Sequence, residues 1–135
     1  MQLFNLLLIL NKDRDKVLFV KRSKEPYKGL FNLPGGKIEN GEEYLDSAYR
    51  ELYEETGISK KEILLKPFID FKWHPASMAM NVFIGGLVSE VELVEEVDTL
   101  HWISISENFF DMTKFAGEGN IGHMIEIYKQ FENIL

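Results

Sequence analysis

Three glutamates, Glu51, Glu54 and Glu55, stand at i, i+3 and i+4 in the stretch Arg50-Glu51-Leu52-Tyr53-Glu54-Glu55-Thr56-Gly57. On a helix these spacings put all three side chains on one face. Like charges so placed weaken an isolated helix by about 0.2–0.5 kcal/mol per pair. They also lie near the C-terminal end, where the helix macrodipole disfavours anions. Hard divalent cations compensate such a cluster, and Mg²⁺ commonly takes a few carboxylates together with substrate phosphates and water. Such a cluster fits metal-assisted phosphate chemistry. The plain alternative is a solvated acidic helix face, a common surface pattern.

The elements that must position these groups follow from the surrounding pattern. Glu43 to Thr56 reads as a helix, stopped by Gly57, a residue suited to a helix C-terminus. Leu45, Ala48, Tyr49 and Leu52 recur at the spacing of a buried stripe. At about 100° per residue the carboxylates lie about 120° around from that stripe, at the edge of the packed side. Leu3 to Leu10 and Val17 to Lys21 read as strands joined by a polar turn at 11–16, followed by a loop from Ser23 to Asn32 and then Leu33-Pro34-Gly35-Gly36. Further strands are expected at Leu64 to Trp73, Ala79 to Val88 and Leu100 to Ile103, with a short helical piece at Glu107 to Met112 and a last helix at Ile121 to Phe131. No internal repeat or interdomain linker interrupts the chain. The expectation is a single α/β domain over residues 1–135, with helices packed on a mixed sheet.

Composition narrows the class. Hydrophobic residues make up 45% of the chain and charged residues 27%, as in ordinary globular proteins. With no cysteine, disulfides and thiolate chemistry are excluded. A net charge of −7 argues against a surface for polymeric nucleic acid, which needs clustered Lys and Arg. A negative chain that handles phosphates must bring cations to its site. The apolar run Leu6 to Leu10 is too short to span a membrane, and no signal-like segment opens the sequence, so a cytoplasmic protein is expected.

The carboxylate helix belongs to a longer pattern. Gly36 is followed after five residues by Glu42, and after seven more by Arg50-Glu51-Leu52, Glu54-Glu55 and Gly57-Ile58. This arrangement matches every fixed position of the Nudix hydrolase signature, and the chain resembles that family. Leu33 to Glu39 is similar to the family's turn into the helix, and Trp102-Ile103-Ser104 to its late strand. The resemblance implies a Nudix-type α/β/α sandwich with a mixed β-sheet. It implies Glu54 and Glu55 as metal ligands, and Glu51 as a ligand or as a base that activates water. The Gly35 carbonyl is expected as a further ligand, because a glycine turn lets backbone approach an ion closely. Arg50 is expected to tie loop to helix through Glu42, an arginine fork matching a carboxylate. A carboxylate from outside the helix often completes such sites in the family. Of Glu95 and Glu96, Glu96 is selected, the alternative being a solvated loop face; Glu90 and Glu92 read as surface residues.

Candidates for holding the organic part are more open. Phe31, Phe71, Trp73 and Phe83 could stack on a base or belong to the core. Lys21, Arg22 and Lys37 could meet terminal phosphates or be solvated. Asn120 could pair with a purine edge, as a residue in a similar place does in MutT-like enzymes, or could cap the last helix. Asn120, Lys37, Arg22 and Phe31 are taken as the substrate-binding set. His74 and His101 show no zinc pattern and are read as structural.

The implied activity is Mg²⁺-dependent hydrolysis, with Mn²⁺ as a substitute, of a small nucleotide NDP–X to NMP and phosphorylated X. The short chain favours a MutT-like nucleoside triphosphate pyrophosphohydrolase, acting for example on 8-oxo-dGTP. ADP-ribose, a dinucleoside polyphosphate or a nucleotide sugar is the alternative substrate. A non-catalytic nucleotide sensor is the alternative of another class, and degenerate boxes mark such domains, whereas this box keeps every charged position. Membrane association is not expected, and oligomeric state is not legible.

Overall fold

Leu6-Leu7-Leu8-Ile9-Leu10 is apolar at every position, which suits a strand covered on both faces. In the computed structural model, which describes residues 1–135 apart from the side chain of Glu132, this run forms the inner part of β1 (Gln2–Leu10). Leu7 to Leu10 are fully buried there. The turn that follows is shaped by Asn11, whose Oδ1 accepts the N–H groups of Asp15 and Lys16.

The strand after the turn, β2 (Lys16–Lys21), meets β1 at Leu10↔Val17 and then diverges from it. The gap is filled by two short strands: β3 (Phe31–Asn32) pairs with β2, and β4 (Gly35–Lys37) pairs with β1. On its other edge β1 runs parallel to β6 (Met78–Gly86) from Gln2↔Met78 to Leu10↔Gly86. β6 is antiparallel to β5 (Lys66–Trp73), and β7 (Thr99–Ser104) is antiparallel to β2. The result is a mixed seven-stranded sheet.

One helix covers each face. Ala48 and Leu52 of α1 (Tyr44–Thr56) pack on Leu7, Ile9, Leu18 and Phe83. Ile121, Met124, Ile125 and Tyr128 of α2 (Asn120–Gln130) pack on Leu8, Leu10, Phe19 and Val82. Odd and even positions of β1 thus feed opposite cores, as the strand pleat requires. This is the expected α/β/α sandwich. Among the described residues no helix is long and apolar enough to cross a membrane.

Three local expectations are corrected. Residues 107–112 form turns rather than a helix. Asn108 Oδ1 accepts the Phe110 N–H, and Asp111 Oδ1 accepts the N–H and hydroxyl of Thr113, local bonds that compete with a helical ladder. On α1, Leu45 is exposed and Ser47 is buried, so the packed face is rotated toward the carboxylates. Asn120 does not cap α2, because Gly119 holds the N-cap position in the left-handed conformation.

Candidate active site

Close backbone approach builds the floor of the site. A Cβ at Gly35 would overlap the Asn5 carbonyl oxygen, so glycine is required for β4 to lie on β1 as it does. A Cβ at Gly36 would stand 2.6 Å from the Glu51 carboxyl group. Asn5 is fully buried and joins three elements: its Oδ1 accepts the Gly36 N–H at 3.0 Å, and its Nδ2 donates to Ser47 Oγ at 2.7 Å. An amide set inside the otherwise apolar run from Leu3 to Leu10 was the available sign of this residue.

Arg50 organises the ends of the signature. Its Nε and Nη2 donate to the two oxygens of Glu42 at 2.6 and 2.9 Å, a bidentate fork. Its Nη1 donates to Glu51 at 3.0 Å and to Glu54 at 3.3 Å, and Nη2 reaches the Lys37 carbonyl at 3.4 Å. The Arg50 guanidinium holds the Glu42 carboxyl down to about 2. Arg50 is itself shifted further upward, first by Glu42 and also by Glu51 and Glu54. Lysine cannot reproduce a fork that serves several carboxylates. Arg50→Lys is therefore expected to lower stability by about 1.5–3 kcal/mol, the range for hydrogen bonds to charged groups. Urea denaturation checks this; an unchanged midpoint would show the fork to be dispensable for folding.

Glu55 differs from its neighbours. Burial pushes its carboxyl up to about 8, and Glu51 and Glu96 push in the same direction, against the Gly35 N–H that donates to it at 3.2 Å. None of these groups is a cation. Burial also raises Glu51, against the lowering effect of Arg50. A carboxylate so placed fits a bound cation better than solvent.

A cleft of about 670 Å³ opens over these groups. Gly35, Lys37, Glu51, Glu54, Glu55, Glu96 and Arg22 line it, whereas Arg50 lies behind the carboxylates it bonds. Neighbouring Glu95 is used differently, its Oε2 accepting the Leu100 N–H. Phe31 and Asn120 do not line the cleft. Phe31 packs in a ring cluster with Phe19, Phe115 and His101, and Asn120 sits in the first turn of α2. Lining groups that the sequence did not single out include Phe4, Tyr27, Met80 and Asp98. Asp98 also accepts from the N–H and hydroxyl of Ser23, across 75 positions. Among the described residues no three His, Cys, Asp or Glu side chains are already gathered around one point. Mg²⁺ needs no such cage, since one or two carboxylates with substrate oxygens and water suffice.

A sequence model of the NUDIX domain matches residues 4–121, from β1 through the start of α2. The chain belongs to the Nudix family. Nudix hydrolases use divalent metal ions, and the acidic cleft suits that requirement. The Nudix chain is 47% identical over 112 residues to a Methanocaldococcus jannaschii protein named ADP-ribose pyrophosphatase, covering 78% of this chain and 66% of that one. It is 33% identical over 98 residues to a Bacillus subtilis protein of the same name, covering 70% and 52% respectively. The chain thus spans about half to two thirds of these relatives' lengths. Its fold superposes on a Caenorhabditis elegans Ap4A hydrolase with a TM-score of 0.78 at 18% identity, covering 98% of this chain and 99% of that one.

Proposed function

We propose that this Nudix chain is a Mg²⁺-dependent pyrophosphohydrolase of a nucleoside diphosphate derivative, and that ADP-ribose is the substrate to test first. The observation carrying the reading is that Glu51, Glu54, Glu55 and Glu96 share one cleft with Arg22 and Lys37. Anionic ligands for a metal and cations for a diphosphate there lie side by side. Similarity to the two proteins named ADP-ribose pyrophosphatase supports the substrate. A MutT-type nucleoside triphosphate substrate such as 8-oxo-dGTP is the comparison, and its proposed purine contact, Asn120, lies outside the cleft lining.

In this reading Glu54 and Glu55, with Glu96 and the Gly35 carbonyl, would hold the metal. When bound, it offsets charge on the diphosphate oxygens and lowers the pKa of the attacking water. Glu51 accepts the proton that water loses as its oxygen bonds to phosphorus. The bridging oxygen leaves with its bonding pair as part of the second phosphate, giving NMP and phosphorylated X. Arg22 and Lys37 steady the diphosphate against the charge of the carboxylates. Arg50 fixes the rotamers of Glu51 and Glu54, so less ordering is left to the moment of reaction.

Chelator-treated protein is expected to be inactive on every nucleotide, with activity restored by Mg²⁺ or Mn²⁺. Full turnover in metal-free buffer would refute the metal assignment. A hydrolysis panel over ADP-ribose, dinucleoside polyphosphates, canonical triphosphates and 8-oxo-dGTP, with products identified, tests the substrate. A kcat/KM for 8-oxo-dGTP above that for ADP-ribose would reverse the ranking.

A further inference from the structure

The loop between β2 and β3 closes on itself at the edge of the cleft. Gly29 N–H donates to the Arg22 carbonyl, Arg22 N–H to the Leu30 carbonyl, and Arg22 Nε to the Pro26 carbonyl. Its tip presents Tyr27, a half-buried residue that lines the cleft. The Tyr27 hydroxyl lies 2.9 and 2.8 Å from the two carboxylate oxygens of Glu118 and donates to them, 91 positions away. Glu118 belongs to the turn that leads into α2. That turn is held beside the loop by β3, because Phe31 N–H donates to the Lys114 carbonyl and Ala116 N–H to the Phe31 carbonyl.

Both ends of this bond are in a conformation that side-chain-bearing residues adopt rarely. Tyr27 has φ 66° and Glu118 has φ 50°, the latter between Gly117 and Gly119. Such outliers persist where the surrounding structure over-determines them, and they cluster at ligand sites. Burial and the Glu118 carboxylate push the Tyr27 hydroxyl up to about 12, which keeps the donor protonated. The chemistry described above uses neither residue.

We infer that Tyr27 is a specificity-determining residue whose ring, pinned by Glu118 as a positioning residue, forms the wall against which the substrate's nucleobase stacks. This rests on the reading of the cleft as a nucleotide site. Two aromatic rings, Phe4 and Tyr27, stand among the cleft's lining groups, with Leu6, Met78 and Met80 supplying apolar surface. Phe4 is fixed within the sheet, paired with Lys37 and Met80. Tyr27 sits on a loop, where an untethered ring would lose rotamer freedom on binding. The bond to Glu118 fixes the far end of the ring in advance. An aromatic face accepts any base, so the wall selects for a base over a bare sugar phosphate rather than among bases.

The test is calorimetric binding of AMP and of ribose 5-phosphate to the Mg²⁺-loaded protein. Tyr27→Ala is expected to weaken AMP about tenfold, the low end for loss of one base–aromatic stack, and to leave ribose 5-phosphate within twofold. Glu118→Ala and Tyr27→Phe keep the ring and lose the tether. They are expected to raise KM for the hydrolysed nucleotide about threefold to fivefold with kcat within twofold. Equal weakening of AMP and ribose 5-phosphate in a Tyr27→Ala protein of unchanged circular dichroism would overturn the inference. So would AMP affinity that survives the substitution, or a wild-type protein that binds AMP no better than ribose 5-phosphate. Selective loss of AMP in a protein that does not hydrolyse ADP-ribose would uphold the base wall and reject the proposed substrate.

Discussion

Glu55→Gln is expected to lower turnover at least a hundredfold while leaving the domain folded, and Glu54→Gln to do the same. The amide keeps the shape of the side chain and removes the charge that a hard cation requires. Near-normal kcat in either variant would remove that residue from the metal-binding set. Glu55→Gln has a second consequence, visible without substrate. In the metal-free folded chain the Glu55 carboxyl is held at about 8, against an ordinary value of 4.5 when unfolded. Below pH 4.5 it is protonated in both states, and its contribution to stability is fully present. As pH rises toward 8 the unfolded chain releases this proton first, so stability is lost through that window. In chelator, the melting temperature is expected to fall between pH 5 and pH 8.5 in the wild type and to fall less in Glu55→Gln. Mg²⁺ should restore the wild type selectively at the higher pH. Parallel pH profiles for the two proteins would contradict the buried, uncompensated carboxylate.

Gly35→Ala is expected to be the most damaging single-methyl change in the chain. The added Cβ would overlap the Asn5 carbonyl oxygen, which is backbone and has no rotamer to yield. β4 must then move away from β1, taking with it the Gly36 N–H bonded to Asn5 and the Gly35 N–H bonded to Glu55. A loss of about 3 kcal/mol is expected, the upper part of the range for overpacking, with a fall in kcat greater than a hundredfold. Gly41 is the control: it also has a positive φ, but nothing stands within 4 Å of its Cβ position. Gly41→Ala should cost about 1 kcal/mol and leave kcat within a fewfold. Equal effects at the two glycines would show that conformation, rather than contact, sets the cost.

The residues that lay open in the sequence are those whose meaning is local. Glu51, Glu54 and Glu55 share a face because helix geometry makes them do so, and Gly57 ends α1 at φ 78° as a left-handed cap. Burial of the inner part of β1 could be read from the apolar run Leu6 to Leu10. What escaped needed contacts across the chain. Ser47 is buried because Asn5, 42 positions earlier, bonds it, and that bond leaves Leu45 exposed. Residues 107–112 have helical spacing, but side-chain bonds from Asn108 and Asp111 win locally. Tyr27 and Asp98 could not be found by spacing, since their partners lie 91 and 75 positions away.

The divergence of β1 from β2 after Leu10↔Val17 divides the cleft between two separately bonded halves. The β1 half carries Asn5, the glycine turn of β4 and, through Ser47, the carboxylate helix. The β2 half carries Arg22, the Tyr27 loop and β7, to which Asp98 leads. The lining is therefore drawn from both halves, Glu51, Glu54, Glu55 and Lys37 coming with the first and Glu96, Arg22 and Tyr27 with the second, so that neither half holds the full set of charges alone.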